Sequence, residues 1–426
     1  MEGIDFSKSN ILFISNEQID IETNEYKKEN EEYDVIKIRA KLEPWLTAVF
    51  QSEHLSLIIG NGLTIALTGD NKIIGRIEFE GDYKEKIKSR ADEEAKAMGR
   101  GEANFEDDLR IAIELLKGYE ILEKREKAEN LKTQLNQRLK DLLDKILRNE
   151  NIFLNRSITE KKSYFLRNFL LSFSSRTATR DRLNIFTTNY DRFLEYGLDE
   201  TGILILDRFI GKLKPIMRFH RIDLDYHYNP PGIRGEPRYV EGVVRYTKLH
   251  GSIDWRFEQD RIIKIPLPFG DISQDNIFEN PFDSVVIFPN SSKAIETSYF
   301  PYSELFRDFS TAICRPNSVL VTYGYGFGDS HINRIIKDML TIPSTHLVII
   351  SYDLANNRIK NFIEQCNPSQ LTLLIGNHVA DLEILSSHYL PKPAIERITD
   401  RQTKISEQFD RQIINKKVWK KNHEPF

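Results

Sequence analysis

The chain has 426 residues, 40 % of them hydrophobic, with 60 Lys and Arg against 64 Asp and Glu and a formal net charge of −4. At about 100–200 residues per domain this is roughly two or three domains, or one large domain with insertions, with enough apolar chain to bury a core unaided. The charge balance excludes a globally basic nucleic-acid binder but not a local basic patch. The only two cysteines, Cys314 and Cys366, exclude a disulfide framework and any four-cysteine zinc module supplied by this chain.

The start, Met1-Glu2-Gly3-Ile4-Asp5, is acidic rather than a basic leader. No run approaches the roughly 18 apolar residues of a membrane span, so a soluble cytoplasmic protein is expected. Residues 1–34 hold ten acids against three lysines, a net charge of −7. Residues 1–40 read as an acidic N-terminal arm, either packed on the body or a neighbouring subunit, or partly mobile and solvated. Within it, Asn10 to Ile14 and Val35 to Ala40 read as strands. A helix carrying Leu46, Val49 and Phe50 follows. The run Leu55-Ser56-Leu57-Ile58-Ile59, ended by glycine, reads as a buried parallel strand.

No proline occurs from Trp45 to Lys214, and Gly118 is the only glycine between Glu102 and Tyr196. Leu109, Ile113, Leu116, Leu131, Leu135, Leu139, Leu142 and Ile146 fall at helical spacings. They predict an insertion of several long helices over about residues 80–180, either a layer covering a sheet or cleft, or a partner surface. Beyond it, short apolar runs end in polar or glycine loops: Leu183 to Phe186, Val319 to Thr322, His346 to Ile350 and Leu371 to Ile375. Strand, loop and helix in alternation predict a doubly wound, Rossmann-like parallel α/β sheet. Residues 206–300 hold half of the 16 prolines and many aromatics, including Tyr226, Tyr228, Tyr239, Trp255, Phe269 and Phe288. They read as a smaller irregular lobe set into a sheet domain that spans residues 41–390. The tail, residues 391–426, carries nine basic residues and five acids and ends in the run Lys416 to Lys421. That run is either a solvated helix end or a contact for an acidic partner or nucleic acid.

Four segments carry chemistry. Gly60-Asn61-Gly62-Leu63-Thr64 follows the first parallel strand, where backbone N–H groups at a helix start accept phosphate and missing Cβ atoms allow close approach. The full dinucleotide fingerprint is absent, because position 65 is Ile65. Phe186-Thr187-Thr188-Asn189-Tyr190-Asp191 ends a second strand at the carboxyl edge, where open α/β sheets bind ligands. Asn189 and Asp191 there read either as site residues or as caps of a helix from Asp191 to Leu198. Lys248-Leu249-His250-Gly251-Ser252-Ile253-Asp254-Trp255 offers a histidine suited to general-base work, or a structural one. Thr322 to Asn333 is a strand end, a glycine-rich loop and a helix from Ile332 to Leu340, with Asp329 or Ser330 as its natural N-cap. The loop would line the other half of a dinucleotide crevice, or form a surface turn.

Taken together, the order strand–GNG, strand–TNYD, loop–LHG, strand–GYGFGDS resembles the sirtuin family, and within it the prokaryotic sirtuin-like domains of antiviral defence systems. The matching residues are Gly60 and Gly62; Thr188, Asn189 and Asp191; His250 and Gly251; and Gly324 with the loop to Ser330. The resemblance spans roughly residues 45 to 390. Two features depart from it. The Gly-Ile-Pro-Asp-Phe-Arg segment of typical sirtuins is missing, and so are the four cysteines of the deacylase zinc ribbon.

The resemblance implies an enzyme that cleaves NAD, with NAD as substrate and no metal, acting in antiphage defence by NAD depletion. Asn189, His250 and Asp191 would be its catalytic residues: Asn189 holding the attacking water or the ribose hydroxyls, Asp191 accepting the nicotinamide carboxamide N–H, His250 acting as general base. Gly60, Asn61, Gly62, Thr64, Thr188, Gly324, Gly326, Ser330 and Asp353 would contact the rest of the dinucleotide, Asp353 at the adenosine ribose. The resemblance further implies a homo-oligomer, with a HerA-type ATPase or a short Argonaute-type protein as partner, and no membrane or sequence-specific nucleic-acid binding. The readings that compete with it are a protein deacylase or ADP-ribosyltransferase, and a non-catalytic NAD-binding scaffold.

Overall fold

The computed structural model describes residues 4–30, 32–70, 76–97, 103–177, 179–219, 225–229, 238–271, 281, 285–287 and 300–392. Phe288 and the basic run Lys416 to Lys421 lie outside them.

The chain opens with β1 (Ile11–Ile14) and β2 (Glu17–Ile19), then α1 (Val35–Phe50), β3 (His54–Ile59) and α2 (Gly62–Thr68). Four helices follow: α3 (Lys84–Ala97), α4 (Phe105–Ile121), α5 (Arg125–Thr159) and α6 (Lys162–Ser174). Next come β4 (Asn184–Thr187), α7 (Phe193–Glu200), β5 (Leu204–Leu206), β6 (Phe209–Ile210), β7 (Ile216–Met217), β8 (His227–Tyr228) and β9 (Arg238–Tyr239). The chain continues through β10 (Val243–Lys248), β11 (Gly251–Glu258), β12 (Arg261–Lys264), β13 (Val285–Ile287) and α8 (Tyr302–Ile313). Then come β14 (Ser318–Tyr323), α9 (Ser330–Leu340), β15 (His346–Ser351), α10 (Arg358–Ile363) and β16 (Leu371–Ile375).

Among the described residues, nine strands form the central sheet in the order β2-β1-β16-β15-β14-β3-β4-β10-β5. From β16 to β5 every pairing is parallel, while β1 and β2 add antiparallel at one edge. Both faces are buried, as parallel sheets require. In β3, Leu55, Leu57 and Ile59 enter the core under α1, α2 and α6, and Ile58 enters the opposite core with α8 and α9. A third core joins α3, α4 and α5, with Ile253 and Leu267 of the lobe packed into it. This is a Rossmann-like α/β fold.

Three expectations change. Val35 to Ala40 is helix, not strand: the Asp34 carboxylate accepts N–H bonds from Ile36 and Lys37, at 3.1 and 3.2 Å, and starts α1. The helix then buries Ile38, Leu42, Leu46 and Phe50, four residues apart, and leaves Ile36 exposed. The arm boundary at residue 40 therefore falls inside α1, and Ile11 to Ile14 form an integral strand beside β16. Finally, the range assigned to the lobe contains β10, a strand of the central sheet. Among its described residues the lobe also holds a five-stranded sheet, β13-β11-β12-β7-β6, and the ribbon β8-β9.

Candidate active site

The chain order of the sheet reverses between β3 and β14: β4 and β10 lie on one side of β3, while β14, β15 and β16 lie on the other. A crevice for a ligand opens at such a switch point, at the carboxyl ends of the strands. The strand ends are in register. Ile350, Tyr323, Ile59, Thr187 and Lys248 form one row across five neighbouring strands. The glycine loops, the TNYD segment and the LHG segment therefore leave the sheet side by side.

The two glycine loops touch. The Gly60 N–H donates to the Tyr323 carbonyl at 3.1 Å, and the Gly62 N–H to the Gly324 carbonyl at 3.0 Å. A Cβ on Gly60 would stand 2.6 Å from the Gly324 oxygen, and one on Gly62 2.5 Å from the Gly324 Cα. The Gly60 and Gly62 amides are used within the protein, and their missing side chains let two backbones meet. Asn61, exposed between them, heads α2 without a side-chain cap bond.

Thr64, one turn into α2, enters the site by its side chain. Its hydroxyl donates to Asp191 Oδ2 at 2.6 Å and accepts from Asn189 Nδ2 at 3.2 Å. The second Nδ2 hydrogen goes to the Gly60 carbonyl at 3.1 Å. A carbonyl only accepts, so the amide orientation is fixed and Oδ1 is the Asn189 atom left to accept further bonds. Asn189, Asp191 and Thr64 are all buried. Burial pushes the Asp191 carboxyl up to about 6; Lys248 and the Thr64 hydroxyl pull it down, and Glu150 and Glu195 add to the rise. Thr188 donates its amide to the Ile59 carbonyl at 3.2 Å, tying the TNYD segment to β3.

Three side chains outside the expected set hold this loop. Lys248 is buried, and its ammonium donates to the carbonyls of Tyr190, at 3.3 Å, and of Asp191, and to Glu195 Oε1 at 3.1 Å. Glu106 of α4 accepts from the Tyr190 hydroxyl at 2.9 Å. Glu150 of α5 accepts from Arg192, by the backbone N–H at 3.1 Å and by Nη2 at 2.6 Å. Arg192 also donates to the carbonyls of Leu267 and Pro268. The helical insertion thus grips both sides of Asp191. Each partner lies dozens of residues away, so no local spacing marks it; only the acids inside apolar helices hint at it.

His250 is buried at the end of β10, its ring centroid 6.3 Å from that of Tyr190. Its Nε2 lies 3.0 Å from Asp329 Oδ2. Asp329 was expected only as a helix cap, and it is one: Oδ1 accepts from the N–H groups of His331 and Ile332. Its other oxygen reaches the histidine. Gly326 packs beside the Arg358 guanidinium and Ala355. Ser330 and Asp353 are exposed, and Asp353 Oδ1 accepts from the Ala355 N–H at 2.7 Å, closing a turn. They follow β14 and β15 at the same carboxyl edge of the sheet.

Among the described residues, no group of three or more His, Cys, Asp or Glu is placed to hold a metal ion, and no helix is long and apolar enough to cross a membrane. No curated protein matches the chain. The family model of the SIR2-like domain matches residues 183–369, which run from the strand before TNYD through LHG and GYGFGDS. Over those residues, which the α/β sheet brings to one edge, the chain is similar to the SIR2-like domain, a family of NAD-dependent enzymes.

Proposed function

We propose that the protein is an NAD hydrolase that releases nicotinamide and ADP-ribose. The observation that carries this reading is the hydrogen-bonded set Asn189–Thr64–Asp191, beside His250 at the switch point of the sheet. NAD brings the bond between ribose C1′ and a cationic nicotinamide ring, which leaves neutral and needs no general acid. The protein must then steady an oxocarbenium-like centre and place water. Asn189 Oδ1 is suited to accept from a ribose hydroxyl or the water. Ionised Asp191 is suited to accept the carboxamide N–H, and His250 to take a proton from a ribose hydroxyl or the water. The glycine loops form the floor of the crevice, and Thr188, Gly326, Ser330 and Asp353 line its edge. With two cysteines the chain lacks the zinc ribbon of the deacylases, which favours water over an acyl-lysine as acceptor.

An unregulated NAD hydrolase would drain its own cell. The proposal therefore includes control by assembly, as a homo-oligomer or with a HerA-type ATPase or short Argonaute-type partner, in antiphage defence. The test is nicotinamide release with and without an acyl-lysine peptide. Release that needs no peptide is expected; release that requires one overturns the hydrolase reading in favour of deacylation. Native mass, alone and after coexpression with a neighbouring ATPase, tests assembly; a strict monomer in both cases contradicts it.

A further inference from the structure

We infer that Asp329 is a positioning residue that sets the tautomer of His250. Asp329 stands at the N-terminus of α9 and divides its two oxygens. Oδ1 accepts from the His331 N–H at 3.0 Å and the Ile332 N–H at 3.4 Å, while Oδ2 lies 3.0 Å from His250 Nε2. Two N–H donors at the positive end of a helix favour the ionised carboxylate, and a carboxylate can only accept. The proton of a neutral His250 ring is then on Nε2, and the lone pair that can take a proton is on Nδ1. The carboxylate side chain is 7 % exposed and the imidazole 6 %, so water competes little for this bond. The helix cap fixes the carboxylate and the carboxylate fixes the ring, joining the GYGFGDS loop to the histidine through a bond that neither segment reveals alone.

The cap makes the test specific. In Asp329→Asn, the single carbonyl oxygen is claimed by the His331 and Ile332 N–H groups, so the NH₂ must face His250. It donates to Nε2 and drives the ring proton to Nδ1, where the lone pair had been. The helix cap survives, and so does the fold. Imidazole nitrogen NMR of the full chain, labelled at histidine, is expected to show Nε2–H at His250 in wild type and Nδ1–H in D329N. This readout needs no NAD. The activity arm rests on the NAD hydrolase reading: kcat for nicotinamide release is expected to fall about 10²–10⁴-fold in D329N with KM little changed, the range of a lost general base. Asp329→Ser keeps the cap but removes the second acceptor; a mixture of tautomers and a smaller fall are expected, and this variant carries the test if D329N unfolds. An Nδ1–H ring in wild type, or an unchanged Nε2–H ring in D329N, overturns the inference. So does a changed tautomer with unchanged kcat. A wild-type chain that shows Nε2–H but releases no nicotinamide sinks the hydrolase reading and leaves the positioning role standing.

Discussion

Glu150 Oε2 lies 2.6 Å from Arg192 Nη2, with both side chains buried, and this pair fastens the helical insertion to the residue after Asp191. Removing one partner of a buried pair strands the other charge, which costs about 3–5 kcal/mol. Glu150→Ala is expected to lose that much in denaturant unfolding and to release nicotinamide more slowly, because the Asp191 loop loses its anchor. Glu150→Gln, which retains an acceptor, is expected to lose less. A near-neutral Glu150→Ala would separate the insertion from the site.

The contact between the glycine loops leaves no room for a side chain. In Gly62→Ala the new methyl would meet the Gly324 Cα at 2.5 Å, backbone that cannot swing aside. Overpacking of this kind costs about 1–3 kcal/mol. The variant is expected to be destabilised by at least that in thermal or denaturant unfolding, whether or not NAD is present. An unchanged transition would mean that the two loops do not touch.

Asp191 gives a pH signature. Its folded carboxyl sits at about 6 against the ordinary 3.8, raised by burial. A group raised on folding contributes stability that is full below the unfolded value and lost as pH rises through the folded one, here about 3 kcal/mol between roughly pH 4 and 7. Asp191→Asn lacks this dependence. Its stability relative to wild type is therefore expected to improve as pH climbs through 6, read by denaturant unfolding at several pH values, while nicotinamide release falls. Wild-type release is expected to decline below about pH 6, as Asp191 protonates. A pH-independent stability difference would contradict the assigned burial.

Thr64→Val removes a hydroxyl at nearly constant volume. The carboxylate of Asp191 loses a donor that favours its charged form, so its pKa moves up. The acid limb of nicotinamide release is expected to shift to higher pH than in wild type. A pH–rate profile checks this; a limb that stays in place would remove Thr64 from the network.

Much of the site is legible in the chain, because parallel strands expose their ends as apolar runs cut off by glycine or polar residues. Leu55 to Ile59 and Leu371 to Ile375 show this plainly. β10 is hidden because Arg245 and Lys248 interrupt Val243-Val244 and Tyr246. Only the fold shows Arg245 paired with Asp225 and Lys248 with Glu195. Val35 to Ala40 looks like a strand because its branched residues alternate with charged ones; the Asp34 cap and the four-residue spacing out to Phe50 decide for helix. Asp329 is visible as a cap, but its second bond spans 79 residues of chain. The same holds for Glu106 and Glu150, whose partners are set by tertiary packing rather than by spacing.

The most direct measurement is nicotinamide release from NAD by the purified chain, alone and in its native assembly, beside Asn189→Ala and His250→Ala. The wild type is expected to release nicotinamide and ADP-ribose. Each variant, with an unchanged unfolding transition, is expected to be slower by at least about 10²-fold. Release at the wild-type rate by both variants, or no release by the wild type in either form, would contradict the account.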